Sequence, residues 1–265
     1  MNNKLSVWQN APALPSILED EQGLLKLYEA VGKRSSIRTF SGPPDAEGLA
    51  VLSYLCHRCS MNGVRLEMGM ADENCLYRTI PFVEPIVGSG RFIAVIRDKG
   101  VQSSSLWAGF CGELLLLQAV TLNLGTCWVA GTYSKKVVDI PLNEGEELSA
   151  IIAVGIPQNE ENPRPKRKKL TDICRTDPAQ WPVWAYQAAE CVRIAPSAIN
   201  RQPWYISLRG HTLLLEKKLP CSMLDLGIAL LHLLIGSGGR DYTLRIGQGS
   251  QIAMLRLNDE DEAEL

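Results

Sequence analysis

A chain of 265 residues with 46% hydrophobic and 21% charged residues carries enough apolar side chains to bury a core, which excludes a disordered or fibrous polymer. Its 27 basic and 29 acidic residues leave a net charge of −2, a balance that calls for neither nucleic acid nor an anionic membrane surface. The richest apolar run, Leu114 to Val120, is too short to cross a bilayer. The start, Met1 to Pro15, lacks the basic-then-apolar order of an export signal, so the expected location is cytoplasmic and the eight cysteines are expected as reduced thiols.

In chain order, residues 1–19 read as an N-terminal arm, with Pro12 and Pro15 set against regular structure. Glu21 to Val31 places Leu24, Leu27, Tyr28 and Val31 at helical spacing. Ser41-Gly42-Pro43-Pro44-Asp45 is a stop followed by a helix start, and Glu47 to Cys59 reads as a second amphipathic helix. Val64 to Met70 alternates as a strand does, and Phe92 to Ile96 is a compact apolar strand. Gly109 to Leu124 is apolar nearly all round and reads as a buried central helix closed by Gly125. Strands follow at Cys127 to Ala130 and Ala150 to Val154.

Residues 158–180, with Pro163, Pro165, Pro178 and a basic run, read as a crossing connection between lobes. Beyond it come a helix from Trp181 to Ile194, strands at Trp204 to Leu208 and Thr212 to Lys217, and an apolar helix from Leu224 to Ile235 ended by Gly236-Ser237-Gly238-Gly239. Short strands at Tyr242 to Ile246 and Ile252 to Leu257 precede an acidic tail from Asp259. The two halves echo each other in element order, which predicts an α+β fold of two similar lobes, 20–157 and 181–257, each a mostly antiparallel sheet packed by helices around a long central helix.

Four segments carry residues suited to ligand chemistry. Arg34-Ser35-Ser36-Ile37-Arg38 sets two guanidinium forks and two hydroxyls just past a helix end, a donor set for phosphate or a carbonyl-rich ring edge. Pro196-Ser197-Ala198-Ile199-Asn200-Arg201-Gln202-Pro203-Trp204 is a stiff polar loop ahead of an aromatic-capped strand. Gly125-Thr126-Cys127-Trp128-Val129-Ala130-Gly131 ends in small residues that let a ligand approach the backbone. Arg164 with Lys166, Arg167, Lys168 and Lys169 is the densest charge run. Each segment alone also fits ordinary local structure: a solvated helix end, a capped turn, a buried strand, a basic surface linker.

Together, and in this order, the four segments resemble the FMN-dependent nitroreductase superfamily, over roughly residues 24–255. The Pro-Ser-x-x-Asn-x-Gln-Pro-Trp segment is the most specific part of the match and the basic run the least. The resemblance implies an α+β fold, normally an intertwined homodimer with FMN at the subunit interface. It implies an FMN oxidoreductase that takes hydride from NAD(P)H through flavin N5 and passes electrons to a nitroaromatic, quinone or other small acceptor; a flavin-binding or sensing module without efficient turnover is the alternative. By that resemblance Arg34, Ser35, Ser36 and Arg38 would hold phosphate, ribityl chain or pyrimidine edge, and Arg167 or Lys168 would add phosphate charge. Val129, Ala130 and Gly131 would face N5, and Pro196, Ser197, Ala198 and Asn200 would contact the flavin from the opposing lobe. The hydride chemistry belongs to the cofactor, so no protein acid or base is expected to be indispensable.

The chain departs from the family pattern in one respect. Where the Pro-Ser loop normally follows the first-lobe helix it has His57-Arg58-Cys59-Ser60-Met61-Asn62-Gly63, and the loop comes instead at 196–204. One complementary set of motifs therefore survives of two, which resembles the fused, two-lobed branch of the superfamily. The expectation is a monomeric internal pseudo-dimer with a single composite site. Loops within 60–90 would choose the acceptor, and neither acceptor nor NADH against NADPH is legible. Cys56-x-x-Cys59 has the spacing of half a zinc site but no second pair, so no metal is expected.

Overall fold

The computed structural model describes residues 8–71, 76, 84–131, 133–134, 138–159, 165–239 and 241–258. The stretch 72–75 and 77–83 of the expected acceptor loops, Arg164 of the basic run and the acidic tail from Asp259 lie outside them. The chain forms two compact units: a middle unit, Glu29–Pro165, and a split unit, Met1–Tyr28 with Lys166–Leu265. The elements in chain order are β1 (Gln9–Asn10), α1 (Glu21–Lys33), β2 (Phe40–Gly42), α2 (Ala46–Cys59), β3 (Val64–Met70), β4 (Arg91–Asp98), α3 (Ser104–Thr121), β5 (Gly125–Val129) and β6 (Glu146–Pro157). They continue with α4 (Leu170–Ile173), α5 (Val183–Ile194), β7 (Trp204–Arg209), β8 (Thr212–Lys217), α6 (Met223–Gly236), β9 (Tyr242–Ile246) and β10 (Gln251–Leu257).

Each unit is an antiparallel sheet with helices, and the two share one topology. In the middle unit the run α2-β3-β4-α3-β5-β6 builds the order β3-β4-β6-β5, with β2 on the end of the long β6. In the split unit α5-β7-β8-α6-β9-β10 builds β7-β8-β10-β9, with β1 at the edge. In both, the last strand inserts between the second and third. The second and third strands then run parallel with one strand between them, which requires the long helical crossover that α3 and α6 supply.

Strand β4 shows why the core sits where it does. Phe92 to Ile96 are all fully buried because both faces of the sheet are covered, which makes the sequence a continuous apolar run instead of an alternation. Phe92, Ala94 and Ile96 face a cluster with Phe40, Ile86, Cys127, Val129, Ile151 and Ala153. A side chain added at Gly112 of α3 would meet Val95 at 3.2 Å, so the other face of β4 is closed by α3. In α3, four consecutive leucines, Leu114 to Leu117, point to all sides of the helix and all are fully buried, each adding about 2 kcal/mol of apolar burial.

The structure corrects several local expectations. Helix α3 begins at Ser104, not Gly109, because Leu106 and Trp107 extend its buried surface. It also ends at Thr121, and Asn123 takes a left-handed conformation (φ 60°) just past its end, ahead of the Gly125 expected to close it. Gly125 opens β5 instead; its small size is needed because a Cβ there would lie 3.0 Å from Ile37. Within the expected N-terminal arm, Gln9 and Asn10 pair with Ile246 and Arg245 as an edge strand. The stretch expected as a connection holds α4 and a 3-10 turn at Pro178–Gln180, and from Lys166 onward it belongs to the split unit.

Candidate flavin site

In the middle unit, α1 carries the chain to Arg34, whose N–H still donates to Ala30 O at 2.8 Å and whose side chain is 4% exposed. From there the chain is extended. Ser36 forms a parallel bridge with Thr126, and Ile37 N–H donates to Thr126 O at 2.9 Å, so the segment is laid alongside the start of β5. Farther on, Val87 N–H donates to Arg38 O at 2.9 Å and Phe40 N–H to Val87 O at 3.0 Å. Arg38 also lies 3.7 Å from Glu84 across an exposed, weak ion pair.

Burial pushes the Cys127 thiol pKa up, while the Arg38 and Arg34 guanidiniums and a hydrogen bond with Ser36 pull it back. The backbone contacts of Ser36 and Ile37 with Thr126 set this segment beside β5. Two further hydroxyls belong to the same region: Thr126 Oγ1, on a residue 1% exposed, and Ser89 Oγ, on a residue 2% exposed, make no hydrogen bond among the described residues. An orphaned buried hydroxyl is costly, and a polar ligand group is one way to satisfy it. Past β5, Val129 is buried, whereas Ala130 and Gly131 are exposed. Gly131 has φ +104°, and among the described residues nothing lies within 4 Å of where its Cβ would be.

Upstream, Glu113 is the one charged residue of α3 and is fully buried. Its Oε2 accepts from Trp128 Nε1 at 2.7 Å, which ties the segment ahead of Val129 to the central helix. Sequence reading passed over this pair; a single carboxylate inside an otherwise apolar helix was the available signal.

In the split unit the Pro-Ser loop joins α5 to β7. Pro196 is buried, Ser197 and Asn200 are half-buried, and Ala198 and Ile199 are exposed. Arg167 donates to Asn200 Oδ1, and Asn200 Nδ2 donates to Lys166 O at 2.8 Å. Lys168 Nζ donates to Arg201 O at 2.5 Å and to Gln202 O at 3.1 Å, and burial pushes its pKa down. The basic pair expected to complement the Arg34 segment is therefore bonded to the Pro-Ser loop, within one unit.

Gln202, read from sequence as a ligand-recognition donor, is 1% exposed and its polar groups are engaged internally. Its N–H donates to Ser197 Oγ at 2.8 Å, its Oε1 accepts from Lys168 N at 2.7 Å, and its Nε2 donates to Arg193 O. Trp204 is fully buried and serves as the loop's apolar anchor. Cys56 and Cys59 are buried thiols, both pushed up to about 12 by burial, and no metal-holding cluster occurs among the described residues. No helix of the described residues is long and apolar enough to cross a membrane.

Comparisons with known proteins bear on the family and the fold. A family model described as "Putative TM nitroreductase" matches residues 26–237. A crystal structure of a "putative nitroreductase" from Thermotoga maritima MSB8 is 23% identical, with a TM-score of 0.66, covering 88% of this chain and 94% of its own. A "putative nitroreductase in complex with FMN" from Desulfovibrio desulfuricans is 20% identical, with a TM-score of 0.44, covering 55% of this chain and 93% of its own. No curated protein matches the chain. The family match spans most of the sequence and the fold match nearly all of it: the chain belongs to the nitroreductase family so described.

Proposed function

We propose that this chain is an FMN-dependent oxidoreductase that takes reducing equivalents from NAD(P)H and passes them to a small acceptor such as a nitroaromatic or quinone. Family membership supports oxidoreductase chemistry in general. The observation that carries the flavin reading is the bridge that lays the Arg34–Arg38 segment against Thr126 of β5, beside the orphaned Thr126 hydroxyl. Such a donor set fits a ligand with phosphate and carbonyl oxygens.

FMN, when bound, supplies the hydride-accepting and hydride-donating chemistry. In this reading Arg34 and Arg38, with Ser35 and Ser36, bind and orient its anionic and carbonyl groups. The backbone of Ala130 and Gly131, following Val129, donates to its ring edge. Pro196, Ser197, Ala198 and Asn200 are the flavin-contacting loop that the family resemblance implies, and Arg167 and Lys168 hold that loop. One FMN per chain is expected, because the sequence carries each of the two motif sets once.

The test is FMN titration of the purified full chain, followed by anaerobic addition of NAD(P)H. Bleaching of bound flavin is expected. Arg34→Ala should weaken FMN binding by roughly ten- to a hundredfold, the loss of a hydrogen bond to a charged group, and Asn200→Ala should weaken it by releasing the Arg167 and Lys166 contacts that hold the loop. Failure to take up FMN overturns the proposal. Bound FMN that NAD(P)H never reduces turns it into a flavin-binding module.

A further inference from the structure

We propose that Asp225, which lies in none of the motifs above, is the positioning residue of the Pro-Ser loop. The inference deepens the flavin reading and rests on it for its functional consequence.

The argument starts from backbone strain. Three non-glycine residues of the loop have positive φ: Ile199 at 45°, Asn200 at 55° and Gln202 at 48°. This region is disfavoured for side chains with a Cβ and most of all for a β-branched one such as Ile199. Such strain persists only where the surroundings over-determine it, and it gathers at ligand clamps. The later half of the loop is held by Gln202 and by Lys166, Arg167 and Lys168, as described. Within the turn, Asn200 N–H donates to Ser197 O at 3.0 Å and Arg201 N–H to Ala198 O at 3.1 Å.

The earlier half is held from α6. Ala198 N–H donates to Asp225 Oδ1 at 2.9 Å, across 27 residues of sequence. Asp225 is 5% exposed, and burying a carboxylate is expensive unless it is hydrogen-bonded. It is not needed to cap its own helix, because Ser222 Oγ already accepts from Leu224 N–H at 3.1 Å. Its place in the first turn of α6 gives it the favourable end of the helix dipole, and its oxygen is spent on the loop. Fixing the Ala198 amide fixes the directions of its neighbours, the Ser197 hydroxyl and the Ile199 side chain, which is 76% exposed at the loop tip.

The test compares Asp225→Ala with Asp225→Asn in the full chain, since the Asn carbonyl can still accept from Ala198. Two quantities are read: FMN affinity by flavin fluorescence, and amide hydrogen exchange in FMN-free protein. In Asp225→Ala, exchange at Ala198 and Asn200 should accelerate roughly ten- to a hundredfold, and FMN affinity should fall by a similar factor, with Leu230 and Leu231 in α6 unchanged. Asp225→Asn should stay within about threefold of the parent in both. Unchanged loop exchange in Asp225→Ala, or acceleration of α6 together with the loop, overturns the proposal. If the parent protein fails to bind FMN, the flavin reading falls, and the exchange comparison alone decides whether Asp225 holds the loop.

Discussion

The Glu113–Trp128 pair offers the sharpest energetic test of how the middle unit holds its site. The Glu113 carboxyl is fully buried in α3 and accepts from the Trp128 indole at 2.7 Å. Glu113→Ala removes this hydrogen bond, worth about 1–3 kcal/mol, and strands an indole N–H. It also leaves a small void beside Trp128, so a total loss of about 3 kcal/mol is expected. Trp128→Phe removes the donor instead and should cost about 1–2 kcal/mol. Replacing both at once, as Glu113→Leu with Trp128→Phe, removes donor and acceptor together and should cost less than the sum of the single changes. Urea unfolding followed by far-UV circular dichroism, which does not depend on the tryptophan, gives the cycle. A coupling of about 1–3 kcal/mol is expected, and a value below about 0.5 kcal/mol would refute the role given to this bond.

Two further predictions concern packing and pH. Gly236→Ala should destabilise by about 1–3 kcal/mol, because its Cβ would sit 2.6 Å from Ala188 Cα and 2.9 Å from Cys191 Cβ. Gly32→Ala in α1, where a Cβ meets nothing within 4 Å, should instead stabilise by about 0.5–1 kcal/mol; thermal melts that fail to separate the two would contradict the α5–α6 approach. Glu146 is held at about 2, chiefly by its hydrogen bonds with Arg65 at 2.7 and 3.0 Å, against an ordinary value of 4.5. Because the folded pKa is depressed, its stabilisation is complete above about pH 4.5 and is lost as pH falls toward 2. Arg65→Ala should therefore lower stability at pH 7 by about 1 kcal/mol and flatten the acid side of the stability profile, which urea midpoints between those pH values would measure.

Much of the fold was readable because short-range physics set it. Val64 to Met70 and Tyr242 to Ile246 are strands with the expected bounds, since alternation and apolar runs fix which face is buried. The repeated order of elements was also legible, whereas the matching strand order of the two units came only from the structure. Less legible were features decided by a distant neighbour. Gly125 looked like a helix stop, yet its size answers to Ile37, nearly ninety residues earlier. Gln9 and Asn10 form a strand only because β9 offers an unpaired edge.

The same division runs through the site. By itself the sequence determined which chemical groups were available: two arginines and two serines in one segment, a stiff Pro-Ser loop in another, small residues after the central helix. Those follow from residue type and spacing, which local chemistry fixes. Only the tertiary structure decided how each is used. It bound Arg167 and Lys168 to the Pro-Ser loop, turned Gln202 inward, and brought Asp225 to Ala198 and Glu113 to Trp128. A buried polar group must find its partner wherever the packed chain places one, and that placement is a property of the whole fold, not of the segment that carries the group.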